Sequence, residues 1–175
     1  PIINTQSPVD ELSSAEKYPF FTRLSQSSSY YMSPIALALK KLGWYEFNVF
    51  TASAYGPSVR QSVITGLANS GIKVATTDAQ MSIDPTLGDS DYNRAVQLFK
   101  ETDLRIVGVL MLPSMILSLM QAFYASGFRA EDVCFFSIFN TYQTLYMNAQ
   151  PEQLQALEEF MPSYVGGNFY VYSGP

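Results

Sequence analysis

Short β-rich runs alternate with amphipathic helical runs along this chain, returning about every 30 residues. Residues 46–52, 73–81, 105–112 and 132–139 are dense in Val, Ile, Phe and Thr, and each is followed by apolar residues at helical spacing. Strand–helix–strand repetition demands a parallel sheet with helices on its faces, because parallel neighbours cannot be joined by a tight hairpin. Ligands of such sheets bind outside the carboxyl ends of the strands. Chemistry is therefore expected in the loops after these four runs.

Composition narrows the function classes. The 175 residues suffice for one domain with a substantial core, and 47% hydrophobic against 14% charged residues excludes a disordered tail. The formal net charge is −5 and the basic residues are scattered, so no nucleic-acid surface is expected. The chain contains no histidine, which removes the usual general base, the commonest metal ligand and any His-dependent triad. Its single cysteine, Cys134, sits in the apolar run Val-Cys-Phe-Phe and reads as a buried small hydrophobe. No apolar run approaches the length of a membrane span. The opening at Pro1, inside an apolar segment, reads as a piece of a longer polypeptide.

Along the chain, residues 1–5 read as extended and 7–12 carry helix-start chemistry with acidic groups in the first turn. Residues 18–24 read as extended and 25–29 as a polar loop. Ser33-Pro34 reads as an N-cap followed by proline at the first helical position, with Ile35, Ala38, Leu39 and Leu42 facing inward. After Tyr55-Gly56-Pro57 a helix presents Val59, Val63 and Leu67. Residues 82–89 read as a loop ending in a cap, and 140–148 as a polar-aromatic loop. Residues 164–173 read as a strand leaving the domain.

The order Pro-Ile-Ile-Asn-Thr-Gln-Ser-Pro-Val-Asp-Glu-Leu-Ser (1–13), Tyr-Pro-Phe-Phe-Thr-Arg-Leu (18–24), Leu-Gly-Trp (42–44) and Tyr-Gly (55–56) resembles the type I periplasmic binding protein family. More narrowly it is similar to the receptor-family ligand-binding region of metabotropic-glutamate, GABA-B and natriuretic-peptide receptors. The likeness runs from residue 1 to about residue 140. It implies an α/β fold, a three-layer αβα sandwich with a mostly parallel sheet. Residues 1–175 would form a single lobe, the second of a two-lobe Venus flytrap, with 1–17 and 164–175 next to the hinge. A small-molecule ligand would lie between this lobe and the first lobe of the same parent, and hinge closure would be the signal. The parent would be membrane-attached with this lobe extracellular, or periplasmic. The resemblance implies no cofactor.

Six residues are candidates for the ligand edge. By resemblance, Tyr55 matches a family tyrosine that packs over the ligand; the alternative is an ordinary turn tyrosine. Ser27 and Ser28 fall where amino-acid-binding relatives carry Ser-Asp, whose carboxylate holds the ligand ammonium; loop serines otherwise cap helices. Phe139 and Asn140 stand where those receptors place another acidic residue. With both acidic anchors missing, a buried ammonium would lack a partner, which disfavours a zwitterionic α-amino acid. Leu112 ends the third run, where it either lines an apolar cleft wall or packs in the core.

The aromatic set Tyr142, Tyr146, Phe169, Tyr170 and Tyr172 either fills core and amphipathic surface or serves lobe–lobe and homodimer contacts. No catalytic or metal-binding residue is expected. Neighbouring carboxylates such as Asp89 and Asp91 sit at helix starts or in loops, and the stretch from Asp84 lacks the central glycine and the final glutamate of a calcium loop. Two alternatives stand beside the sensor: a scaffold lobe serving dimerisation or assembly without ligand, and an enzyme on a Rossmann-like or flavodoxin-like sheet.

Overall fold

The structure, a computed structural model, describes residues 2–4, 10–23, 28–137 and 140–166. In chain order the elements are β1 (Ile2–Asn4), β2 (Phe21–Arg23), α1 (Ser28–Lys41), β3 (Glu46–Ala52), α2 (Gly56–Asn69), β4 (Lys73–Val74), α3 (Asp78–Met81) and β5 (Ser82–Ile83). They continue as α4 (Asp89–Lys100), β6 (Ile106–Leu110), α5 (Pro113–Ala125), β7 (Cys134–Ser137), α6 (Tyr142–Asn148), α7 (Leu154–Phe160) and β8 (Tyr164–Gly166). Single 3-10 turns lie between several of them. The class is α/β with a parallel sheet and flanking helices, as the alternation of runs requires.

The chain divides into two compact units. One is drawn from Pro1–Tyr45 and Tyr55–Val74. In it β1 pairs with β2 in parallel, Ile2 opposite Phe21. Helices α1 and α2 pack on each other, burying Ile35, Ala36 and Leu39 of the first and Val59, Val63 and Leu67 of the second. The expected start of α1 at Ser33-Pro34 is corrected: the helix begins at Ser28 and carries Pro34 inside it. Burial of Met32, one turn ahead of Ile35 and Ala36, gives the extra turns a packing reason that outweighs the donor lost at proline.

The other unit contains Glu46–Ala54 and the chain from Ala75. Its sheet is parallel throughout: β5 and β6 flank β3, β7 pairs with β6, and β8 with β7. Phe50, Val107, Val109 and Phe135 form one core with Val96 and Phe99 of α4, Ile116, Met120 and Phe123 of α5, and Phe160 of α7. Edge-to-face rings run through it, with centroids 5.1 Å apart for Phe99–Phe123, 5.3 Å for Phe123–Phe135 and 5.1 Å for Phe135–Phe160. Full burial of side chains this size contributes about 1.5–3 kcal/mol each before entropy is counted.

Three further expectations change. Residues 73–81 are not one strand, because Thr77 and Gln80 form a capping box that winds 78–81 into a helical turn. Residues 140–148 are not simply a loop: the Thr141 hydroxyl accepts from Thr144 N at 3.2 Å, and Leu145, fully buried, anchors α6. Residues 164–166 do not leave the domain but form β8, a further parallel strand, with Phe135 opposite Tyr164 and Ser137 opposite Gly166. The rest of that expected strand lies outside the described residues, as do 138 and 139 of the run 132–139.

The broken second run leaves a side of β3 to be satisfied piecemeal. Ala75 N donates to Phe47 O at 2.9 Å. One step on, the Thr76 hydroxyl accepts from Val49 N at 3.0 Å and donates to Val49 O at 2.9 Å, so one side chain stands in for a strand. Backbone pairing resumes where β5 meets Thr51 and Ala52. That short strand is held by α4: the Arg94 guanidinium donates to the Ser82 and Gln80 carbonyls and to Asp91 Oδ1 at 2.6 Å, while Asp91 Oδ2 accepts from Asp84 N at 2.6 Å. Thr76→Val keeps the shape but orphans two buried backbone groups. It is expected to lower stability by about 1–3 kcal/mol, read as a lower urea midpoint at unchanged slope.

Candidate functional site

A parallel sheet brings the carboxyl ends of its strands to one edge. In the second unit the segments leaving that edge are 53–54 after β3, 84–88 after β5, 111–113 after β6 and 140–141 after β7. None of the four contains a basic side chain. The Asp84 carboxylate caps its own turn, accepting from Thr86 N at 2.9 Å and Thr86 Oγ1 at 2.7 Å, which holds its carboxyl below the usual range. Leu87 follows in the same turn with 59% of its surface exposed.

Leu112 is extended (φ −66°, ψ 152°) because the residue before a proline avoids the helical region, and Pro113 then opens α5. It is not packed in the core: 58% of its surface is exposed. The edge therefore presents two leucines and no counter-ion for an anion.

Asn140 lies on the same edge but faces inward and is buried. Its Nδ2 donates to Met111 O at 3.1 Å, at the end of β6, and to Ser137 Oγ at 3.4 Å, the last residue of β7. Its backbone N donates to the same Ser137 oxygen at 3.3 Å. Its carbonyl accepts from the Tyr164 hydroxyl at 2.6 Å. Gly166 closes the cluster: a Cβ there would collide with the Asn140 carbonyl and the Tyr164 ring, so only glycine lets β8 run this close. Burial pushes the Tyr164 phenol up to about 12, against a smaller opposing pull from its hydrogen bond with Ser137.

The other candidates belong to other elements or lie outside the described residues. Tyr55 belongs to the first unit, in the 3-10 turn Ser53–Tyr55, and is partly exposed, with its phenol raised by burial. It is followed by Gly56 at φ 70°, a backbone conformation that a side chain would strain, and Pro57 in the first turn of α2. Ser28 is the first residue of α1. Ser27 and Phe139 lie outside the described residues. Leu112 and Asn140 are thus the pair brought to one edge, through the Met111 carbonyl. Tyr164, Ser137 and Leu87 were not singled out from sequence; the lone hydroxyl ending Cys-Phe-Phe-Ser was the available signal for Ser137.

The described residues also form shallow grooves. One in the first unit, about 230 Å³, is lined by Leu12, Tyr18 and Pro19 among others, and one between α4 and α5, about 210 Å³, by Asp89, Asn93, Ser118 and Gln121. Both are below the usual size of a small-molecule pocket. Among the described residues no group of three acidic, cysteine or histidine side chains could hold a metal ion. No helix among them is long and apolar enough to cross a membrane.

The buried groups lend themselves to two solution tests. Tyr164 titrates at 10.0 when unfolded and about 12 when folded, so ionisation favours the unfolded chain and stability is lost as pH rises from 10 through 12. Tyr164→Phe is expected to flatten that part of the alkaline loss, measured as urea midpoints at several pH values. Burial also pushes the Cys134 thiol to about 11. At a pH below its ordinary value of 9.0, iodoacetamide should alkylate Cys134 about 100-fold more slowly in the native than in the denatured chain.

No curated protein matches the chain. The family model described as "Receptor family ligand binding region" matches residues 1–167. That span takes in the parallel sheet, its helices and the loops at its carboxyl edge. The chain belongs to the receptor family ligand-binding region.

Proposed function

We propose that this chain is the second lobe of a two-lobe solute sensor on the extracellular side of a membrane receptor. It recognises a small molecule non-covalently against a first lobe of the same parent, and closure about the hinge is the signal. The observation that carries this reading is the family match over nearly the whole chain, on a sheet whose strands all run parallel. A ligand biases such an equilibrium only by touching both lobes in the closed state. Recognition rather than catalysis suits loops whose polar groups are occupied in capping turns and bracing strands.

The chemistry of the edge shapes the ligand. Leu87 and Leu112 are exposed there, the loops carry no cation, and the amide at 140 is spent on Met111 and Ser137. An uncharged, partly apolar solute fits these groups; an α-amino acid would leave its ammonium without the two carboxylates other receptors supply. Tyr55, Ser28, Ser27 and Phe139 complete the proposed contact set.

The inward turn of Asn140 also favours a second reading, a scaffold lobe that assembles with a partner and takes no ligand. Binding by the complete two-lobe protein to a panel of uncharged organic solutes and α-amino acids separates the two, by thermal shift and calorimetry. The sensor reading expects stabilisation by an uncharged solute. Tyr55→Ala and Leu112→Asp should each weaken that binding about tenfold, while Leu112→Asp improves affinity for amines. Tight binding of an α-amino acid, or indifference to both variants, counts against the proposed ligand class; silence across the panel with an intact dimer favours the scaffold.

A further inference from the structure

We propose that Asn140 and Tyr164 are a positioning pair that locks the segment beginning at Asn140 to strand β8, so that a group seated on the sheet's carboxyl edge is felt in the strand through which the chain continues. The inference rests on the reading of that edge as the ligand-facing one. It deepens that reading by naming how occupancy leaves the site.

Asn140 ties three strand ends together. Its amide reaches Met111 O, one residue before exposed Leu112, and Ser137 Oγ, while its carbonyl accepts a hydrogen bond from the Tyr164 hydroxyl at 2.6 Å. The contact with β8 has no slack. Tyr164 is two residues before Gly166, where even a methyl group would collide with the same Asn140 carbonyl. The β7–β8 register fixes both, with Phe135 opposite Tyr164 and Ser137 opposite Gly166. A loop held by one hydrogen bond could move alone. A loop wedged against β8 and bonded to it at the same oxygen cannot shift without moving Tyr164 or breaking that bond. A packed contact of this kind resists continuous deformation, as transmission between sites requires. The raised phenol fits the desolvated setting in which such a bond is strongest.

Coupling is reciprocal by thermodynamic necessity, which gives the test two directions. Amide hydrogen exchange on the intact chain is the readout. Tyr164→Phe keeps the ring and removes only the hydroxyl, and it should speed exchange over 140–145 about two- to tenfold while α4 and β6 are unchanged. In the other direction, bimane attached through Leu112→Cys serves as a surrogate occupant of the edge; labelling at neutral pH spares the half-buried Cys134, whose thiol is pushed up to about 11. The label should change exchange over 164–166 at least about twofold, and the change should vanish when Tyr164→Phe is added. A uniform rise in exchange, no rise over 140–145, or a label effect that survives Tyr164→Phe overturns the proposal. Neither arm uses a ligand, so the pair can fail while solute binding holds, and solute binding can fail while the pair is upheld.

Discussion

The carboxyl edge of the sheet depends on the burial of β6 between β3 and β7. Its register is pinned on both sides, Gly108 opposite Val49 and Phe136, Val109 opposite Phe50 and Ser137. Gly108 is part of that fit: a Cβ there would press on the Phe47 ring at 3.0 Å. A one-residue slip would send every side chain of the strand to the opposite face, so the register carries the whole aromatic core with it. Because the register is fixed, the residues that leave each strand are fixed in space, and the loops inherit positions they could not specify alone.

Polar groups at the edge follow a second rule, that a buried donor or acceptor must find a partner. Thr76 meets it for Val49, Arg94 for the carbonyls of Gln80 and Ser82, and Asn140 for Met111. Among the described residues Asn48 Oδ1 and Thr51 Oγ1 are buried side-chain atoms without one. Both belong to β3, the strand buried at nearly every position. The same rule explains why the edge is poor in free polar groups. Asn140 is committed to holding β6, β7 and β8 together, while Leu87 and Leu112 are exposed.

Periodicity carried the fold far. Residues 46–52 match β3 at both ends, and the apolar spacings in 92–99 and 116–123 name the buried faces of α4 and α5. It failed where a local motif cut across a run: the Thr77–Gln80 capping box divides 73–81, and the Thr141 cap turns a polar-aromatic stretch into α6. Residues 164–166 misled in the opposite way, since a three-residue strand declares no partner until its neighbour is in place.

The sequence alone determined the class, the parallel direction of the strands and the family, because alternation of strand and helix spacing admits few architectures. It also determined that the chain carries no histidine and one cysteine, since that is a matter of residue identity. Only the tertiary structure decided what each edge residue does. Leu112 is exposed and Asn140 is buried, though both sit just past a strand end, and the Asn140 amide is satisfied there by the Met111 carbonyl and the Ser137 hydroxyl. Tyr164 and Gly166 acquired their roles from β7 alongside them, a neighbour set by long-range pairing that no local pattern encodes.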